Sequence, residues 1–260
     1  MGAESVPENV GREIVAAGRR LYARGLIGGS EGNISVRLDG ARVMATPGGA
    51  CKGFLEPDLL VVTDLEGRRL AGRENPSSEL KMHLRIYHLR DDVRAVVHAH
   101  PPAATGFAIA GRPLDECVVP EVIATLGQVP IVPYGTPSTE DLPERLAPYV
   151  QAHDALLLAN HGAVTFAPTL ARALNAMESI EQAARSMLVA HLLGRINRLT
   201  REDVDSLLAL DAYGMPVRNP GCAWTAEAGP GGAGGPGGAD DDLRRRIAGI
   251  VRETLNGTKG

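Results

Sequence analysis

Ala95-Val96-Val97-His98-Ala99-His100-Pro101-Pro102 is a short apolar run that ends in two alternate histidines and then two prolines. Four β-branched or small residues followed by a proline stop predict a buried strand over Arg94–His100. In a strand, residues i and i+2 share a face, so both imidazoles project together from its end. A third histidine closes a second apolar run in Leu158-Ala159-Asn160-His161-Gly162. Three imidazoles leaving one position open describe a catalytic zinc site. The spacing of His98 and His100 alone also fits two solvent-edge histidines, and His161 a turn histidine. The second His-Gly turn favours the metal reading.

Working outward, Val10, Ile14, Ala17 and Leu21 recur at helical spacing and stop before Gly25, which predicts an opening amphipathic helix. Strands are expected over Asn33–Leu38, Arg42–Ala45, Leu59–Asp64, Pro130–Pro133 and Ala155–Asn160. Helices are expected over Ser78–Leu89, from Ser138, over the Ala-rich Thr169–Arg195, and from Thr200 to about Tyr213-Gly214. The stretch Gly229–Gly238 holds seven Gly, two Pro and one Ala, too poor in side chains to fold. Beyond it, Leu243, Ile247, Ile250 and Leu255 form one apolar stripe behind Asp240–Asp242. The expected organisation is a catalytic domain over 1–220, a flexible linker over 221–238 and an amphipathic helix over 239–260. Whether that helix docks or merely extends the chain is open.

Composition excludes several classes. The 260 residues carry 27 basic and 31 acidic side chains, a formal charge of −4, which gives no electrostatic reason to expect nucleic acid or an anionic membrane. No apolar run approaches about 20 residues, and no signal peptide is visible. Cys51, Cys117 and Cys222 are odd in number and widely spaced, which argues against a disulfide scaffold or a thiolate zinc site and points to a reducing, cytoplasmic setting.

Ser77-Ser78-Glu79 at a helix start can be a cap with a dipole-complementing carboxylate, or a seat for an anion. Gly28-Gly29-Ser30-Glu31-Gly32-Asn33 and Thr46-Pro47-Gly48-Gly49 are either turns or further anion loops. Taken together and in order, G-x-x-G-N-I-S-V-R, T-P-x-G, S-S-E, V-V-H-x-H-P and N-H-G resemble the class II aldolase family typified by L-fuculose-1-phosphate aldolase and L-ribulose-5-phosphate 4-epimerase. The resemblance spans about Glu8 to Val217.

That resemblance implies an α/β single domain with a central, mostly antiparallel sheet flanked by helices in three layers. It implies that His98, His100 and His161 hold one zinc or another divalent ion per subunit. Glu79 is implied as a further ligand that becomes a catalytic base once substrate displaces it. Gly32, Asn33, Gly49, Ser77 and Ser78 match the phosphate-binding positions, and Tyr213 a C-terminal catalytic tyrosine, against the alternative of a packing residue. A phosphorylated sugar substrate and a homotetramer follow from the same likeness.

Two departures stand out. T-P-T-G becomes Thr46-Pro47-Gly48-Gly49, and Glu121 occupies the place of the tyrosine proton donor of fuculose phosphate aldolase. The expected reaction is cleavage of a ketose 1-phosphate to dihydroxyacetone phosphate and an aldehyde, L-fuculose 1-phosphate or a 5-deoxy- or 5-methylthio-ribulose 1-phosphate being candidates. The alternatives are a 4-epimerase, a dehydratase, a decarboxylase of a phosphorylated oxo acid, or a non-catalytic scaffold like the aldolase-like domain of adducin. The intact Glu79/His98/His100/His161 set speaks against a scaffold. A Schiff-base mechanism is not needed, so neither Lys52 nor Lys81 is expected to act as a nucleophile. His83, at i+4 from Glu79, is expected outside the metal's ligand set.

Overall fold

The computed structural model describes residues 8–210, 218, 219, 221 and 222. Tyr213 and the stretches expected as tether and terminal helix lie outside the described residues, apart from Gly221 and Cys222 at the start of the tether. Eight strands form one sheet: β1 (Asn33–Arg37), β2 (Arg42–Ala45), β3 (Val61–Asp64), β4 (Arg69–Ala71), β5 (Ala95–Ala99), β6 (Ile131–Val132), β7 (Ala155–Leu158) and β8 (Gly162–Ala167). Their spatial order is β4-β3-β2-β1-β5-β8-β7-β6. Every neighbouring pair is antiparallel except β6 with β7. The expected fold class is the observed one.

Residue alternation on β5 assigns the two faces of the sheet. Ala95, Val97 and Ala99 pack with α1 (Glu8–Ala23), α3 (Pro102–Ile109) and α6 (Leu170–Leu193). Val96 lies on the other face, against α2 (Leu80–Leu89) and α5 (Asp141–Val150), with Val164 and Phe166 of β8. His98 has the parity of Val96, so its imidazole enters the layer that carries α2. Two further helices, α4 (Pro120–Thr125) and α7 (Arg201–Leu208), close a small cluster around Cys117, Ile123, Val204 and Cys222.

Several boundaries differ from the sequence reading. Ser138 sits in the left-handed region (φ 65°), so the helix begins at Asp141, whose carboxylate accepts from Thr136 N. The Thr200/Asp203 capping box is present, but α7 ends at Leu208. The cysteine expectation needs correction too. Cys117 and Cys222, 105 residues apart, form a disulfide with Cα atoms 5.2 Å apart, while Cys51 is free. Count and spacing could not show this, because packing of α4 on α7 creates the proximity; Leu199 N donates to Cys117 O across it. Among the described residues, no helix is long and apolar enough to cross a membrane.

Candidate active site

The site forms where β5 and β7 end and β8 begins, against the start of α2. His98 is fully buried, paired between Asn33 of β1 and Val164 of β8. Its Nδ1 lies 2.9 Å from Ala163 O. A carbonyl only accepts, so Nδ1 carries the proton and Nε2 presents its lone pair. His100 follows the strand, and its N donates to Leu26 O. The turn behind it is fixed by Glu181 of α6, a buried carboxylate that accepts from Ala103 N and Ala104 N at 3.0 Å. Here a negative charge meets the N-terminus of α3.

His161 arrives by a tight reversal between β7 and β8. Asn160 takes the left-handed conformation (φ 58°) that asparagine tolerates better than most residues. Gly162 then lets β8 start against the end of β5, since a Cβ there would stand 2.5 Å from Ala99 O and 2.7 Å from His100 Cδ2. Gly32 solves the same problem on the opposite side. Its φ is +72°, and a Cβ would lie 2.7 Å from His98 O.

The three rings stand 4.7–4.9 Å apart, centre to centre, and one ligand atom from each lies within 4.8 Å of the others. Glu79, the N-cap residue of α2, places Oε1 3.1 Å from His161 Nε2 and Oε2 3.5 Å from His98 Nε2. Asn33 Nδ2 donates to Glu79 Oε2 at 3.0 Å and lies 3.3 Å from Ser77 Oγ. Burial works to raise the Glu79 pKa, but the His161 contact and the His98 field outweigh it and bring it down to about 2. Burial also disfavours the charged form of two of the rings, lowering His98 to about 3 and His100 below its ordinary value.

These residues fit a divalent cation. His98 Nε2 is a lone pair, His100 Nε2 stands 3.1 Å from it, and the buried Glu79 Oε1 has no aligned donor. Nitrogen and oxygen atoms that can each offer a lone pair, crowded together, are what a cation would satisfy.

The expected anion-binding residues divide. Asn33 and Ser77 border Glu79, and Gly32 packs against His98 O. Gly49 (φ +70°) lies in the adjacent turn, joined to the Ser77 segment by a Pro47–Pro76 bridge and by Gly48 N donating to Asn75 O. Ser78 Oγ is engaged with Ser138 Oγ at 2.7 Å. Glu121 is exposed on α4.

One group near the site escaped the sequence reading. Ser35 Oγ contacts His83 Nδ1 at 2.7 Å and Tyr87 OH at 2.8 Å, all three fully buried. Ser35 shares a face of β1 with Asn33, and His83 and Tyr87 continue the Glu79 face of α2, so the trio bolts together the two elements that deliver the site. The spacings 33/35 and 79/83/87 carried that signal. Burial lowers the His83 pKa from 6.5 to about 3. Between those values the unfolded chain binds a proton that the folded chain refuses. Stability from this residue is therefore complete above pH 6.5 and is lost as pH falls toward 3, by about 1.4 kcal/mol per pH unit. Urea midpoints of His83→Gln are expected to fall less steeply than wild type below pH 6.5; parallel slopes would refute the assignment.

The model of the Class II Aldolase and Adducin N-terminal domain family matches residues 12–188. The chain is 35% identical to 3-oxo-tetronate 4-phosphate decarboxylase of Pectobacterium atrosepticum over 201 residues, covering 75% of this chain and 90% of that one. It is 33% identical to 5-deoxy-D-ribulose 1-phosphate aldolase of Bacillus thuringiensis over 206 residues, covering 78% and 96%. A solved structure of L-fuculose 1-phosphate aldolase superposes with a TM-score of 0.73 at 31% identity, covering 80% of this chain and 98% of the other. The match over more than half of the chain, together with these likenesses, shows that the chain belongs to the class II aldolase and adducin N-terminal domain family.

Proposed function

We propose that this protein is a metal-dependent carbon–carbon lyase that produces dihydroxyacetone phosphate, and that it does so by decarboxylating a phosphorylated oxo acid of the 3-oxo-tetronate 4-phosphate type. The observation that carries the reading is the convergence of His98, His100, His161 and the Glu79 carboxylate beside Asn33 and Ser77. Retro-aldol cleavage of a ketose 1-phosphate and decarboxylation of this oxo acid leave the same three-carbon enediolate phosphate. In the oxo acid, the bond between the carboxyl carbon and C2 breaks, carbon dioxide departs, and the electron pair settles over C2, C3 and their oxygens.

His98, His100 and His161 would hold a divalent ion, zinc by this donor set, which would supply the positive charge that stabilises the enediolate. The chain's own residues do the rest. Asn33 and Ser77, with Gly32 and Gly49, hold the phosphate end and so fix the breaking bond. Glu79 relays to C2 the solvent proton that balances the carboxylate charge lost as carbon dioxide.

Aldol cleavage is the second reading, and the likeness to 5-deoxy-D-ribulose 1-phosphate aldolase supports it. It must also remove a proton from the hydroxyl of the departing aldehyde carbon. Where the aldolase pattern has a tyrosine, this chain has Glu121. Decarboxylation needs no group there.

With metal-loaded protein, 3-oxo-tetronate 4-phosphate is expected to give dihydroxyacetone phosphate and carbon dioxide in equal amounts. Its kcat/KM should exceed that of L-fuculose or 5-deoxy-D-ribulose 1-phosphate by about tenfold or more. Faster aldehyde release from a ketose phosphate would replace the decarboxylase with the aldolase, and inactivity on all three would overturn the lyase reading.

A further inference from the structure

Lys52 is among the largest fully buried side chains of the protein, at 2% exposure. It opens a short 3-10 turn (Lys52–Phe54) pressed onto α1, where Gly18 leaves room for it: a Cβ at Gly18 would stand 2.4 Å from Lys52 O. From there the side chain runs beneath the Gly28–Gly32 loop, and Nζ donates to Ser30 O. Cys51 Sγ reaches Gly28 O on the same loop at 3.7 Å. Among the described residues, no carboxylate forms an ion pair with the ammonium. One of its three hydrogens has a carbonyl, and among the described residues its charge has no direct partner.

A buried cation is costly unless something compensates it. Burial accordingly lowers the pKa of Lys52, while the more distant charges of Glu31 and Glu79 work against that. Tying Ser30 in place does not require a charge, since a neutral amide donates as well. Methionine would fill a similar volume with no desolvation penalty. What a neutral side chain could not supply is positive potential at the loop above it, which passes directly into Gly32 and Asn33. His100 lies within the same field. A low-dielectric surrounding makes that potential far stronger than a surface lysine would produce.

We propose that Lys52 is a positioning residue for the substrate's anionic end, holding the Gly28–Asn33 loop through Ser30 and giving it the positive charge that retains a phosphate. This rests on the reading of Gly32, Asn33 and Ser77 as the phosphate seat. It adds that the seat's charge comes from below the loop, from a residue that no anion need touch.

The test uses the full-length, metal-loaded protein, with inorganic phosphate as the probe. Lys52→Met removes both charge and loop tie; Lys52→Gln removes the charge but keeps a donor for Ser30. Phosphate is expected to raise the melting temperature of wild type. Its dissociation constant should rise by about 10- to 100-fold in both variants, with metal content unchanged. Without phosphate, Lys52→Met should melt no lower than wild type, because a buried charge has been removed. A merely structural lysine would show the opposite pattern, lower melting with phosphate affinity intact. Wild-type phosphate affinity in Lys52→Gln overturns the proposal, and so does a wild type that phosphate does not protect. Should Lys52→Met not fold, the glutamine variant alone decides. Metal content and product analysis report separately on the lyase reading, so the failure of one is not mistaken for the failure of the other.

Discussion

His98→Ala is expected to leave a protein that no longer retains a divalent ion and turns over at background, a loss of about 10³-fold or more. The size of the effect follows from the position of this ring. It is the most enclosed of the three histidines, with its protonated nitrogen committed to Ala163 O and its lone pair facing His100 and Glu79. Removing it takes away one donor and also leaves the Ala163 carbonyl without its partner, at about 1–3 kcal/mol of stability. The sheet around it, closed by Val96, Val164 and Phe166, should survive. Metal analysis and circular dichroism on the same preparation separate loss of the ion from loss of the fold. Undiminished turnover of this variant in the presence of a chelator would remove the metal from the mechanism.

Glu79→Gln should give the second largest effect, a fall in turnover of about 10²–10⁴-fold. Glutamine keeps the volume and can still accept from Asn33 Nδ2, so the start of α2 should stay in place. It cannot carry a proton to carbon. Metal content is expected to drop far less than in His98→Ala, because the three imidazoles remain. Measured side by side, these two variants distinguish holding the ion from moving the proton. Unchanged turnover in Glu79→Gln would assign the proton to another group.

How legible the site was depended on the range of the interaction that made it. The pairing of His98 with His100 rests on the two-residue period of a strand, and that period survives in any sheet. His161 was readable because an apolar run stopped at it. Glu79 was readable only through resemblance, since nothing local separates a glutamate capping a helix from one facing a metal. The helices α3 and α4 went unread because each is short, begins at proline and follows a strand or loop without a polar cap. Lys52 was passed over for a physical reason. A lysine is ordinarily solvated, and its burial here is decided by Gly18, 34 positions away. The Cys117–Cys222 bridge was hidden in the same way, by a contact between helices that local pattern does not encode. For Lys52 and for the disulfide, the deciding partner was distant in sequence.

The alternation along β5 limits how the protein can change. Ala95, Val97 and Ala99 fill one layer while Val96 and His98 face the other. Gaining or losing a single residue between Val93 and His98 would turn the imidazole into the wrong layer and push apolar side chains out of both. Core and chemistry on this strand therefore share one reading frame, and neither can drift without the other. Room for change in sequence and length lies in exposed segments free of that frame, such as those around Glu121 on α4 and Tyr134 after β6.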